Sequence, residues 1–460
     1  MGSEQNIVII GGMACGPKTA ARARRRDPSA RITMVEQGPT VSEGTCGLPY
    51  YMGGRIQSEK ALLIRTPQQF KEGSNVDILG WTRATRIDRK ARKVELLDVN
   101  TGVTSSLPYD KLVIATGAVP FVPNGLAGRD LEGVFTLTKV ADANRIIAAL
   151  ASNGAKKAVI VGGGLIGMES AEAFTDRGLD VSVVEMMPHV LPGLLDDDLA
   201  PAVEQELADK GVHLFTGQRV MSLEGDAQGK VRKVITDKES IDADVVLLAL
   251  GFRPCSDLAK DAGLEIGPLG GVAVNEYLQT SDPDIYAGGD CVENVQLVTG
   301  KSAFVPMGST ANKHGRVIGT NITGGHDTWP GMVGTAVAKV FDLSVGRVGI
   351  TVDEAREAGF SPIVASGKGL DRAGYYPGAL EAQVKLVADL KTGRVLGAQT
   401  VGKGDVSKRI DVLATAITTG MTVETMANLD LAYAPPFSQA MDVLHDLANV
   451  LRGKREKSAG

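Results

Sequence analysis

The sequence predicts an α/β fold class: two parallel-sheet βαβ domains and a C-terminal α+β domain. Three observations carry this reading. An apolar strand, a glycine turn and a helix occur twice, at Gly11–Gly16 and Gly162–Gly167, each followed by a strand that ends on a glutamate, Glu36 or Glu185. A third landmark, Ala287-Gly288-Gly289-Asp290, closes a short strand far downstream. Beyond Gly324-Gly325 no glycine loop recurs, and strand and helix patterns alternate without one. A chain of 460 residues is long enough for about three domains of about 150 residues.

In order, Asn6–Gly12 reads as a strand running into a turn. Pro17–Asp27 reads as a helix with proline in its first turn, and Arg31–Val35 as the next strand. Val76–Ala115 is strand-rich, with the turn signal Asn100-Thr101-Gly102, and resembles an antiparallel insertion leading into Lys111–Gly117. The pattern restarts at Lys157–Gly162, Leu165–Arg177 and Asp180–Val184, followed by a helix at Asp197–Lys210 and strands ending at Asp244–Leu250. In the last domain Thr335–Phe341, Gln383–Ala388 and Val395–Gln399 read as strands, and Asp405–Thr418 and Ser438–Val450 as helices. A polar, loose tail is expected from Lys454 to Gly460. The expected division is 1–150 and 276–326 for the first nucleotide domain, 151–275 for the second and 327–460 for the third.

The glycine loops carry the first chemistry. In the second, Gly162, Gly164 and Gly167 complete G-x-G-x-x-G between strand and helix. Glycines there permit a tight turn and let backbone N–H groups approach a pyrophosphate at the helix N-terminus. Glu185 is placed to accept both ribose hydroxyls. Met186, Met187 and Pro188 follow it, so a 2′-phosphate would meet an uncompensated carboxylate, which favours NADH over NADPH. The first loop has Gly11, Gly12, Ala14 and Gly16 but Met13 at the middle glycine position. Glu36 at the right offset favours a second dinucleotide. Asp290 is placed to bond the polyol of an extended dinucleotide.

Composition narrows the classes. A net charge of −5 argues against a general nucleic-acid binder. No run approaches the roughly 18 apolar residues a membrane span needs. The strand at Asn6–Ile10 follows without a signal-peptide pattern. Cysteines 15, 46, 255 and 291 are too scattered for a disulfide framework, which points to a reducing cytoplasm. The five histidines form no metal-ligand spacing with cysteine, so no metal is expected.

With these motifs in place, the chain resembles the FAD-dependent pyridine nucleotide–disulfide oxidoreductases over nearly its whole length. The family's Ala-Thr-Gly switch is matched by Ala115-Thr116-Gly117, and its second switch by Ala249-Leu250-Gly251-Phe252-Arg253-Pro254. The resemblance implies FAD on the first unit and NADH on the second, with Thr116, Gly117, Gly251 and Glu169 at the cofactors. The last domain is then a dimerisation domain and the chain a homodimer.

Many of these enzymes use two cysteines spaced C-x₄-C. Here Cys46 stands alone in Ser42-Glu43-Gly44-Thr45-Cys46-Gly47-Leu48-Pro49-Tyr50-Tyr51. That context is similar to the single-cysteine branch, which contains coenzyme A disulfide reductases, persulfide and polysulfide reductases, and NADH oxidases. Ser42 and Cys46 match its Ser-x-x-x-Cys pattern, and Tyr433-Ala434-Pro435-Pro436-Phe437 looks like the coenzyme A disulfide reductase subgroup. There the tyrosine arrives from the other subunit, so Cys46 and Tyr433 are the expected catalytic pair. Only a thiolate performs sulfur exchange, so a depressed Cys46 pKa is expected.

Arg22 and Arg25 lie in a basic run that reads either as a solvated helix face or, through the resemblance, as a site for coenzyme A phosphates. Met441 stands where the subgroup has a phosphate-binding lysine. No histidine lies between Gly11 and Gly16, unlike the oxidase and peroxidase relatives. The expected function is NADH-dependent reduction of a disulfide, persulfide or polysulfide. The alternatives are an NADH oxidase acting on oxygen and a low-turnover redox sensor or electron carrier.

Overall fold

In a computed structural model, residues 4–152 and 154–459 are described. The first sheet is five-stranded and parallel, ordered Ile285–Ala287, Lys111–Ile114, Asn6–Ile10, Arg31–Val35 and Val76–Leu79. Its central strands read as near-continuous apolar runs because both faces are covered. Helix Cys15–Arg26 packs on helix Gly308–Asn321. That packing is close: a Cβ on Gly315 would lie 2.5 Å from the Cys15 carbonyl oxygen. The chain therefore leaves this domain and returns to it, and Asp290 follows the returning strand.

The second sheet repeats the arrangement, ordered His213–Thr216, Asp180–Glu185, Lys157–Val161, Val245–Leu248 and Val134–Phe135, all parallel. Its edge strand precedes residue 151, and helix Val140–Ser152 contributes Val140, Ala143 and Ile146 to the same core. Conversely, Ala259, Leu264 and Val272 pack into the core of the first sheet, ahead of residue 276. Two antiparallel three-stranded sheets, Thr82–Pro108 and Val220–Asp242, stand beside the parallel ones.

The third domain is a five-stranded antiparallel sheet ordered Ala336–Val340, Leu343–Gly349, Val395–Gly402, Glu381–Asp389 and Pro362–Leu370. Helices Ser407–Thr418 and Val443–Ala459 cover one face. The expected loose tail is instead the end of that last helix. Lys454 Nζ donates to the Val364 carbonyl at 2.7 Å, and Arg455 Nε to the Leu390 carbonyl at 2.9 Å. Gly460 lies outside the described residues.

The second nucleotide domain is fixed to the third by a largely buried Lys385, which pairs with Asp196 at 2.7 Å and Asp198 at 2.5 Å. No described helix is long and apolar enough to cross a membrane.

Candidate active site

Gly11 and Gly162 turn their loops with φ of +111° and +113°, conformations open to glycine. A Cβ on them would lie 2.0 Å from the Ala115 carbonyl oxygen and 2.3 Å from that of Ala249. Gly16 and Gly167 sit behind, where a Cβ would come within 1.9 and 2.0 Å of the Gly11 and Gly162 carbonyl oxygens. These four positions let each helix start against its strand. Gly164 differs: nothing lies within 4 Å of its Cβ direction, which leaves that side of the loop free for a ligand. The two units are therefore equivalent in backbone although Met13 replaces the middle glycine of the first.

The glutamates are equivalent as well. Glu36 accepts from Gly12 N at 2.9 Å and from Gly38 N at 2.9 Å. Glu185 accepts from Gly163 N and Met187 N, each at 2.7 Å. Each carboxylate is thus pinned at its strand end beside a glycine loop, the position from which a ribose is held.

Sequence reasoning missed two cations here. Lys139, from the turn before helix Val140–Ser152, reaches Glu36 at 3.2 Å. Arg219 lines the cleft beside Glu185, since Gln218 N donates to the Glu185 carbonyl at 3.1 Å. Neither lies near its glutamate in the chain, and only the fold brings them there.

These loops open onto one cleft of about 1900 Å³. It is lined by Gly11, Gly12, Ala14, Glu36, Thr116, Gly117 and Asp290 from the first unit. Gly162, Gly164, Glu169, Glu185 and Gly251 come from the second, and Cys46 stands between. Asp290 is held by burial above the usual carboxylate range, opposed by a bond from the Met307 amide. Thr116 Oγ1 donates to the Cys255 carbonyl at 2.6 Å, and strand Ala118–Pro120 pairs with Phe252–Pro254, so the two switch segments are tied together. Glycine loops, strand-end carboxylates and open space at Gly164 fit two extended dinucleotides.

Cys46 lies in a single turn of 3₁₀ helix, Thr45–Gly47, followed by helix Leu48–Met52. Leu48 and Met52 are buried in the core of the second unit, each stabilising by about 2 kcal/mol. Arg177 Nε donates to the Met52 carbonyl at 2.6 Å, and Gly53 would bring a Cβ within 3.1 Å of Ala173 Cα. The cysteine is thus clamped to helix Leu165–Asp176, which carries Glu169. Ser42, with φ +57°, shapes the approach: its amide donates to the Gly12 carbonyl at 2.7 Å and its carbonyl accepts from Ile64 N at 2.9 Å. It is not among the cleft-lining residues.

The Cys46 side chain is exposed and free. Its pKa is not depressed in the protein alone. The surrounding walls push the thiol up, and Glu169 and Asp290 add to this. The five-residue helix that follows is too short to offset them.

Glu169 is raised by burial to about 7, against a bond from Tyr50 and with help from Glu172. A carboxyl whose pKa is higher in the fold than in the unfolded chain costs stability as pH rises between the two values. Raised from 4.5 to about 7, Glu169 costs about 3 kcal/mol above pH 7. Glu169→Gln is therefore expected to raise the melting temperature at about pH 8 and leave it unchanged at about pH 4. A thermal melt at the two pH values checks this.

The remaining expected residues lie away from the cleft. Tyr433 is 49% exposed on the third domain and its hydroxyl is 3.0 Å from that of Tyr375. Arg22 Nε donates to Thr320 Oγ1 at 3.0 Å, and Arg25 is exposed on the same helix. Met441 is exposed. Cys255 lines the cleft, whereas Cys15 and Cys291 are buried and pushed up, Cys291 to about 11. Among the described residues no group of three or more histidine, cysteine or acidic side chains is placed to hold a metal.

Residues 5–304 match the pyridine nucleotide-disulphide oxidoreductase family, and residues 335–445 match its dimerisation domain. The chain belongs to this family. As a member it is a flavoprotein oxidoreductase that works with FAD and a pyridine nucleotide. It is 37% identical over 437 residues to an NADH oxidase of Methanocaldococcus jannaschii, covering 95% of this chain and 96% of that one. It is 36% identical to an NAD(P)H coenzyme A polysulfide/persulfide reductase of Pyrococcus horikoshii, covering 98% and 99%. Among solved structures it is similar to an NAD-dependent persulfide reductase from A. fulgidus. There the identity is 47% and the TM-score 0.95, covering 98% of this chain and 84% of that one.

Proposed function

We propose that this chain is a cytoplasmic, homodimeric reductase of sulfur–sulfur bonds, using NADH through FAD. Its acceptor is a coenzyme A disulfide or persulfide, or a polysulfide. The observation that carries this is Cys46, a lone exposed thiol clamped in the cleft that both glycine loops share.

The roles divide as follows. The first loop, Glu36 and Asp290 hold FAD, and the second loop and Glu185 hold NADH. FAD held there would supply two-electron redox chemistry between the nicotinamide and sulfur. Cys46 attacks one sulfur of the acceptor and forms a mixed disulfide, releasing the other as a thiolate. Tyr433 of the partner subunit donates a proton to that leaving thiolate. Two electrons then return Cys46 to the thiolate. The balance is NADH + H⁺ + RSSR′ → NAD⁺ + RSH + R′SH, or hydrogen sulfide and RSH from a persulfide. Arg22 and Arg25 on the exposed helix attract the phosphates of a coenzyme A carrier.

The likeness to an NADH oxidase favours a second reading, with oxygen as acceptor and a Cys46 sulfenate as relay. Stopped-flow oxidation of the NADH-reduced protein separates the two. Sulfur reduction requires a persulfide to outrun air-saturated buffer by at least about tenfold. Faster oxidation by oxygen supports the oxidase.

The preference for NADH rests on Glu185. Removing it with Glu185→Ala takes the carboxylate from a cleft wall that also carries Arg219. The ratio of kcat/KM for NADH over NADPH is expected to fall about tenfold to a hundredfold. An unchanged ratio would remove Glu185 as the selector.

A further inference from the structure

His314 is fully buried on helix Gly308–Asn321, and one of its ring nitrogens has no partner among the described residues. Its Nδ1 accepts from the Gly289 amide at 3.1 Å, and the orphan is Nε2. Because the amide must donate, Nδ1 is bare and the proton sits on Nε2. Burial favours this neutral ring and pulls the imidazole down to about 4. The ring stands edge-on to Trp329, with centroids 4.9 Å apart. Trp329 is fixed in turn by its indole N–H, which donates to Asn294 Oδ1 at 3.0 Å. An apolar side chain would fill this space without stranding an N–H. The bond to Gly289 is what a histidine adds.

The amide it holds belongs to a tightly seated turn. The peptide group between Gly288 and Gly289 is bonded at both ends by side chains. Its carbonyl accepts from the Cys291 thiol at 3.3 Å, and its N–H donates to His314. A Cβ on Gly288 would lie 2.6 Å from Ile318 Cδ1 and 3.0 Å from Cys15 Sγ. One on Gly289, which has φ +80°, would lie 3.1 Å from Cys15 Cβ. The next residue is Asp290, which lines the cleft and takes a bond from the Met307 amide. Met307 caps the helix that carries His314, about two turns away. One helix thus grips Gly289 and Asp290 at two points. It also packs on helix Cys15–Arg26, which follows the first glycine loop.

We infer that His314 is a positioning residue for flavin binding: by fixing the Gly288–Gly289 peptide it aims Asp290 at the flavin polyol and keeps that carboxylate in register with the first glycine loop. The inference rests on reading Asp290 and that loop as the FAD site. His314 is not among the cleft-lining residues, so it acts through Asp290 and not by touching the cofactor.

The test compares flavin release from the loaded protein carrying His314→Asn with release from His314→Leu. The two new side chains are nearly equal in size and shape, but only asparagine offers an oxygen to the Gly289 amide in the place of Nδ1. Release is followed on dilution by the rise in fluorescence of freed FAD. His314→Asn is expected to stay within about threefold of the wild type, and His314→Leu to release flavin about tenfold faster or more. In saturating FAD the two variants are expected to melt within a few degrees of each other, which separates aim from folding. His314→Phe keeps a ring against Trp329 but has no acceptor. It is expected to behave as His314→Leu and serves where that variant does not fold. Equal release from the asparagine and leucine variants, or release from the leucine variant at the wild-type rate, overturns the inference. So does a leucine variant that melts far below the asparagine variant in saturating FAD, since His314 would then be structural. Failure of the underlying reading is seen separately, as flavin release unchanged by Asp290→Ala.

Discussion

Cys46→Ser is expected to lower reduction of a disulfide or persulfide by at least about a thousandfold while NADH-to-dye activity stays within about twofold. The asymmetry follows from where Cys46 sits. The thiol lies in a turn held by Leu48 and Met52, and none of the contacts that pin Glu36 or Glu185 passes through it. Cofactor binding and hydride transfer to a dye therefore survive the change. A serine hydroxyl is nearly isosteric but stays protonated at any working pH, and it forms no bond to sulfur that exchange can reverse. The measurement is steady-state NADH oxidation with each acceptor. Loss of both activities together would mean that Cys46 is structural. Retention of both would mean that sulfur reduction occurs elsewhere.

Gly11→Ala is expected to yield a protein that retains little flavin and is destabilised by about 3 kcal/mol or more. Two costs coincide. The backbone has φ +111°, outside the reach of an L side chain without strain. The new Cβ would also lie 2.0 Å from the Ala115 carbonyl oxygen and 2.6 Å from its carbon. That clash is backbone against backbone, so no rotamer relieves it. Either the loop lifts off the neighbouring strand or that strand, which leads into Thr116 and Gly117, gives way. Both moves disturb the floor of the first nucleotide site. Gly102→Ala is the control. It has φ +73° but no atom within 4 Å, so it is expected to cost about 1 kcal/mol and keep its flavin. Flavin retention on gel filtration and a thermal melt distinguish the two.

The nucleotide domains were legible because their signals are local. A strand, a glycine turn, a helix and a strand-end carboxylate follow at fixed spacing, and the first loop keeps the geometry even with Met13 in place of a glycine. The third domain was legible only in part. Strands Leu343–Gly349 and Pro362–Leu370 went unread because Gly346, Gly349, Gly367 and Gly369 interrupt the apolar alternation. The structure supplies the reason. A Cβ on Gly346 would lie 2.7 Å from Ile410 Cγ1, and one on Gly369 would lie 2.7 Å from Val443 Cβ. Those glycines admit the helices that cover the sheet, a tertiary need that resembles a loop signal in sequence. The tail was misread for a related reason: its lysines and arginines look solvated, yet Lys454 and Arg455 bond carbonyls of neighbouring segments.

At the site, residue type and spacing marked Cys46, Glu36, Glu185 and Asp290. Lys139, Arg219 and Tyr50 were not marked. Lys139 reaches the Glu36 carboxylate, and Arg219 the cleft beside the end of strand Asp180–Glu185, only after the chain has folded, and Tyr50 was quoted only as part of the run around Cys46. The thiol pKa was expected low from the chemistry exchange requires. The protein walls raise it instead, by burial first and by the charges of Glu169 and Asp290 second.

The most direct test of the central claim is the intact mass of the flavin-loaded protein after one equivalent of coenzyme A disulfide, before and after a thiol reductant. The account predicts one coenzyme A adduct per chain, located on the Cys46 peptide and lost on reduction. An unchanged mass while the disulfide is consumed with NADH, or an adduct on any other cysteine, would contradict it.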